Sequence, residues 1–144
     1  MKIVIEELRD GEEEQIVCKC LQMTPELLRF IAMLKAQDAL IAYEESKIHR
    51  IKASTVYYIE AMDNKVFLYC KNKVYESKQK LYEIEESLAY SDFLRISKSI
   101  ILNLSKIKSL SPALNGRFEA GLDNGEKVII SRQYVCDLKK RLGI

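Results

Sequence analysis

Between residues 39 and 131 the chain is cut into short apolar runs by turn-forming pairs, and this punctuation constrains the fold most. Asp63-Asn64, Lys71-Asn72, Asn115-Gly116 and Asp123-Asn124-Gly125 supply residues that tolerate the positive φ of tight hairpin turns. Between them, strands are predicted over 40–43, 48–52, 56–61, 65–70, 74–76, 107–110, 117–122 and 127–130. Consecutive strands joined by two- or three-residue turns pair antiparallel, so the chain is expected to be mainly β.

At the centre lies the stretch 93–104. Period-2 alternation predicts a strand in which Phe93 and its apolar neighbours face a core while Arg95, Ser97 and Ser99 project the other way. Four polar side chains, Arg95, Ser97, Lys98 and Ser99, end in the apolar run Ile100-Ile101-Leu102. Such a segment can hold an anion at its exposed end, or it can be a solvated strand end.

Three further elements flank these strands. Residues 2–8 and 15–21 alternate around an acidic Asp10-Gly11 turn and predict a strand pair. Thr24-Pro25-Glu26 marks a helix start, with Thr24 as N-cap, and the helix is expected to reach Ala36 with Leu27, Leu28, Ile31 and Leu34 on one face. A strand–strand–helix unit over 1–38 is too small to bury a core alone. Its helix face is expected to pack on the body at 39–144, with a dimer surface as the alternative. A second helix is predicted over 78–90 after Ser77, with Leu81, Ile84 and Leu88 as its stripe. Lys78 and Lys80 at its start oppose the helix dipole, an arrangement that a bound anion would offset. A third, capped by Ser131, should bury Val135, Leu138 and Leu142 and end at Gly143.

Charge is unevenly spread. Residues 1–45 hold 5 Lys/Arg against 10 Asp/Glu, whereas residues 46–144 hold 18 against 11, so an acidic front precedes a basic body. The body is where a polyanion would dock. The apolar fraction of 48% fits a globular chain, and no apolar run approaches a membrane span, so a cytoplasmic protein without membrane insertion is expected. His49 is the only histidine, which leaves no Ser-His-Asp or Cys-His arrangement, and no glycine-rich phosphate loop is present. Cys18, Cys20, Cys70 and Cys136 lack zinc-site spacing and read as free, mostly buried thiols. No enzyme, cofactor or metal is expected.

What remains is a set of polar and basic residues at element ends: Asn64-Lys65, Lys78 and Lys80, Arg95 to Ser99, and Ser131-Arg132. Each has a structural explanation as turn former, cap or solvated charge. Together with the basic body they point to nucleic acid, because turns and helix starts present backbone N–H groups to phosphates.

The order of these segments resembles the LytTR DNA-binding domain of bacterial transcriptional regulators. The similar pieces are 56–60, 64–66, 80–88, 93–99, 101–107 and 124–134, which cover roughly residues 40–144 in the family order. The resemblance implies an elongated antiparallel β-sandwich with short helices that binds double-stranded DNA through loops in the major groove. It implies contacts by Asn64 and Lys65, by Ser97, Lys98 and Ser99, and by Ser131, Arg132 and Gln133, with Lys78 and Arg95 on phosphates. Ser97 departs from the family pattern, which often has His there, so Lys98 is expected to carry more of the base reading. Residues 1–38 are too short for a phospho-receiver domain, which implies a stand-alone regulator whose front segment dimerises or meets a regulatory partner. A homodimer is expected from paired half-sites. The competing readings are a protein-interaction adaptor, docking through the acidic segment on a membrane or sensor protein, and a small-ligand-binding β domain.

Overall fold

The computed structural model describes residues 2–35, 39–89 and 91–144, with the side chains of 32–35 set aside. After helix α1 (Pro25–Lys35) come β1 (Ala39–Glu44), β2 (Lys47–Lys52), β3 (Val56–Met62), β4 (Lys65–Cys70) and β5 (Val74–Ser77). Helix α2 (Leu81–Ser87) leads to β6 (Phe93–Arg95), β7 (Ile100–Asn103), β8 (Ile107–Pro112), β9 (Phe118–Leu122), β10 (Lys127–Ile130) and helix α3 (Val135–Leu142). Every pairing is antiparallel. Seven strands form one sheet in the order β2-β1-β5-β4-β3-β7-β6, and three form a second, β10-β9-β8.

The turn chemistry explains the hairpins. Asp63 and Asn64 both hold positive φ, 53° and 60°, the conformation whose twist matches the flanking strands. Alternation then sends each strand's apolar residues to two cores. Ile59, Val66, Leu68 and Ile101 meet Leu81 and Ile84 of α2, and Leu88 at its C-cap, on one face of the long sheet. On the other face Tyr57 and Leu102 meet Ala120, Leu122, Val128 and Ile130 of the short sheet and Val135 and Leu138 of α3. Burying a side chain as completely as Ile84 is worth about 1.5–3 kcal/mol. The short sheet packs over the β3–β7 end only; at the β2–β1–β5 end Ile41, Ile48 and Val74 remain exposed.

Between β3 and β7 the register carries a polar lock. Asn103, 1% exposed, donates from Nδ2 to the Val56 carbonyl at 2.8 Å. Its Oδ1 accepts from the Ser105 amide at 3.1 Å and from the Ser105 hydroxyl at 2.7 Å. The buried amide is thereby satisfied on both sides.

Several expectations are corrected. Residues 2–24 form neither strand nor helix, and every residue from 2 to 26 is exposed. Their central turn exists, with the Glu12 amide on the Arg9 carbonyl at 3.1 Å and Gly11 at φ 92°. The alternation on either side has no partner, and strand pairing outside a larger sheet is marginal. Thr24 does cap α1, its Oγ1 accepting from the Leu27 amide at 3.2 Å. Leu28 and Phe30 nevertheless stand exposed, Leu27 and Ile31 are half-buried, and no side chain of 25–31 joins either core. The expected packing on the body is therefore not made by these residues. Ala36, Tyr90 and the side chain of Leu34 lie outside the described residues.

Ser77 ends β5 instead of starting a helix, so Lys78 precedes α2 and only Lys80 stands at its N-cap. Ser131 caps nothing through its side chain; a turn of 3₁₀ helix at Arg132–Tyr134 intervenes before α3. Gly143 closes α3 at φ 72° as expected. Cys18, Cys20 and Cys136 are exposed, not buried; only Cys70 is half-buried, and burial pushes its thiol up.

Candidate nucleic-acid interface

Antiparallel connectivity brings five connections to one end of the two sheets. The β3–β4 turn at 63–64, the β5–α2 link at 78–80 and the β6–β7 turn at 96–99 close the same end of the long sheet. The Ala61 amide donates to the Ser99 carbonyl at 2.8 Å, which joins the first turn's strand to the third. The Ser131 amide donates to the Ile96 carbonyl at 2.9 Å, which ties the segment after β10 to the same place. The link between β8 and β9, residues 113–117, lies at the matching end of the short sheet.

The turn at 96–99 is built around Arg95, and here the predicted strand is corrected. β6 ends at Arg95, and Phe93 and Arg95, two apart, share a face instead of opposing each other. That face is the α2 side. Arg95 Nη1 reaches Glu85 Oε2 of α2 at 2.6 Å, Nε donates to the Ser97 carbonyl at 2.7 Å, and Nη2 donates to the Lys98 carbonyl. All three guanidinium nitrogens are thus engaged within the chain, so Arg95 holds the turn, and two of its five N–H donors are left over from these bonds. Ser97 Oγ accepts from the Ser99 amide at 3.2 Å, so it too is a turn organiser. Lys98 at the tip is exposed.

Ser97, Lys98 and Ser99 form one wall of an open cleft of about 630 Å³. Ser131, Arg132 and Gln133 form a second wall, and Asn115 and Arg117 a third. No carboxylate lines it, and three cations do. Arg132 leans on Gly116, where a Cβ would stand 3.0 Å from the Arg132 side chain, tight enough that the side chain would have to shift slightly. A neighbouring groove runs from Ser97 and Arg117 towards Tyr58, Glu60 and Lys127. Tyr58 stacks on Tyr69 with ring centroids 4.4 Å apart. Burial, then the carboxylate of Glu126, hold its phenol well above the usual tyrosine range, so it stays protonated.

The other expected contacts are spread wider. Asn64 and Lys65 are exposed at the β3–β4 turn, outside the cleft's lining. Lys78 sits with its ammonium 4.4 Å from the centre of the Tyr43 ring, a cation–π contact that fixes its position. The structure therefore groups Ser97, Lys98, Ser99, Ser131, Arg132 and Gln133, and leaves Asn64, Lys65 and Lys78 outside that group.

A family model of the LytTr DNA-binding domain matches residues 46–143. The chain belongs to the LytTR family. A solved LytTr DNA-binding domain from a methyl-accepting/DNA response regulator of Bacillus cereus superposes with a TM-score of 0.71 at 28% identity, covering 76% of this chain and all of that one. Sensory transduction protein LytT of Enterococcus faecalis is 29% identical over 107 residues, 74% of this chain and 44% of its own length. An HTH-type transcriptional regulator of Staphylococcus aureus is 32% identical over 111 residues, 77% of this chain and 75% of its own. The chain thus spans less than half of the first relative's length. The antiparallel sheets with few short helices are those of the LytTR fold.

Within this LytTR domain, sequence reasoning passed over Asn115 and Arg117 as parts of a hairpin turn. The signal was present: an arginine directly after an Asn-Gly turn, on a strand whose far end meets the short sheet's other turn.

Proposed function

We propose that the chain is a sequence-specific double-stranded-DNA-binding transcriptional regulator whose sheet-end turns enter the major groove. The observation that carries this reading is the carboxylate-free cleft in which Lys98, Arg117 and Arg132 converge within a LytTR domain. A duplex backbone carries closely spaced negative charge, and turn-borne cations neutralise it while releasing counterions. Arg or Lys can then bond bidentately to guanine and Gln or Asn to adenine, so Lys98, Arg132 and Gln133 are the base readers and Ser99, Ser131, Lys65 and Asn64 flank them. Lys78, held over Tyr43, faces phosphate rather than bases. Fluorescence anisotropy with a random duplex across a salt series tests the first half of this; binding that does not weaken with salt overturns it. Selection from a randomised duplex pool tests the second, since a regulator of this kind enriches one motif.

Two copies are proposed to act on paired half-sites, joined through residues 1–38. This is favoured by the exposure of Ile3, Ile5, Ile16, Val17, Leu28 and Phe30, large apolar side chains without cover in the single chain. The second reading, an adaptor docking through this acidic segment on a membrane or sensor protein, rests on the same surface. Sedimentation equilibrium separates them: a dimer that Leu28→Glu and Phe30→Glu dissociate supports the first, and a monomer the second. No described helix is long and apolar enough to cross a membrane.

A further inference from the structure

We propose that the β8–β9 turn, residues 113–117, is a fourth DNA-contacting element, in which Arg117 takes a backbone phosphate and Gly116 positions Arg132 beside it. The proposal rests on the DNA-binding reading above and adds a site that the resemblance did not place.

Arg117 is presented by a rigid frame. The Ala113 amide donates to its carbonyl at 2.8 Å, and its own amide donates to the Leu114 carbonyl at 3.3 Å, so the backbone is pinned from both sides. Asn115 holds φ 60° and Gly116 φ 74°, the left-handed pair that lets the link reverse tightly enough for this. The guanidinium remains exposed, and no ion pair or hydrogen bond among the described residues occupies it. Lys127, nearby along the adjoining groove, is paired with Glu119 at 3.6 Å, and Arg95 with Glu85, so the fold consumes those cations and leaves this one.

Placement supplies the partner. Arg117 borders both the cleft and the groove beside it, which makes it the cation shared by the two concavities. The cleft's walls carry Lys98 and Arg132 as well, hydroxyls and amides otherwise, and no acid. A group of converging cations without a counter-charge suits a polyanion whose charges recur at fixed spacing, such as a duplex backbone. The Gly116 contact joins the two roles. Because the Arg132 side chain lies against the bare Cα of Gly116, the same turn that offers Arg117 to a phosphate sets where Arg132 points.

The test is the salt dependence of binding to a random-sequence duplex, measured by anisotropy with the full chain. Arg117→Ala is expected to make the slope of log K against log salt shallower by about 0.9, the value of one neutralised phosphate. Arg117→Lys should restore it, since a phosphate accepts either cation. Lys108→Ala, an exposed cation near the opposite end of β8, should leave the slope unchanged. A wild-type slope in Arg117→Ala, or an equal change in Lys108→Ala, overturns the fourth contact while the DNA-binding reading stands. Absence of any binding by the wild-type chain overturns both.

Discussion

The turns at 96–99 and 113–117 border the same cleft but are held in opposite ways. The first is stapled by side chains: Arg95 spans from Glu85 to two carbonyls of the turn, and the Ser97 hydroxyl accepts from the Ser99 amide. The second is held by backbone hydrogen bonds and two positive-φ residues, which leaves its arginine outward. Arginine therefore plays both parts around one cleft, as scaffold behind its wall at Arg95 and as open charge on it at Arg117. A count of basic residues would have weighed Arg95 and Arg117 alike. Where the guanidinium's donors go is what distinguishes them.

The largest effect should come from cutting the staple. Arg95→Ala removes several charge-assisted hydrogen bonds and is expected to lower stability by about 3 kcal/mol in urea unfolding. An unchanged midpoint would dissolve the contrast between the turns. Arg132→Ala, by comparison, should leave the unfolding curve in place and weaken binding to a selected duplex by about 2 kcal/mol, relaxing preference at one base position. Gly116→Ala should sit between the two behaviours. Strain at φ 74° costs about 1 kcal/mol of stability, and the new Cβ crowds Arg132, so base preference is expected to relax although Arg132 is still present. If selection returns the wild-type motif, the glycine does not position that arginine. Ser97→Ala should be mildest, at about 0.5 kcal/mol, since its hydroxyl serves one exchangeable turn bond.

The strands of the body were legible because each apolar run has a neighbour at hairpin distance: Val56 to Met62 needs only Asp63-Asn64 to meet Lys65 to Cys70. The segment 2–21 shows the same alternation and forms no strand, because alternation states which face would be buried but does not supply the surface that buries it. The same gap explains Leu28, placed on the apolar face of an amphipathic helix and still in water. Lys98 and Arg132, singled out by the order of segments, do line one cleft, whereas the scaffold bonds of Arg95 depended on Glu85, ten residues away on another element. Ser131 reads as a helix cap, yet the 3₁₀ turn after it shifts the helix start beyond reach of its hydroxyl. Asn115 and Arg117 were hidden by the adequacy of a simpler account, since an Asn-Gly turn needs no further reason to exist.

Asn103 Nδ2 meets the Val56 carbonyl at a single alignment of β7 on β3, while its Oδ1 is held by the Ser105 amide and hydroxyl of its own segment. Sliding β7 by one residue would leave that Nδ2 without its carbonyl and exchange the sides on which Ile101 and Leu102 lie. It would also lengthen or shorten the connection from Arg95 to Ile100 by one residue. Asn103 thus acts as the ratchet tooth of the sheet: through it, the interior of the protein decides which side chain stands at the tip of the turn.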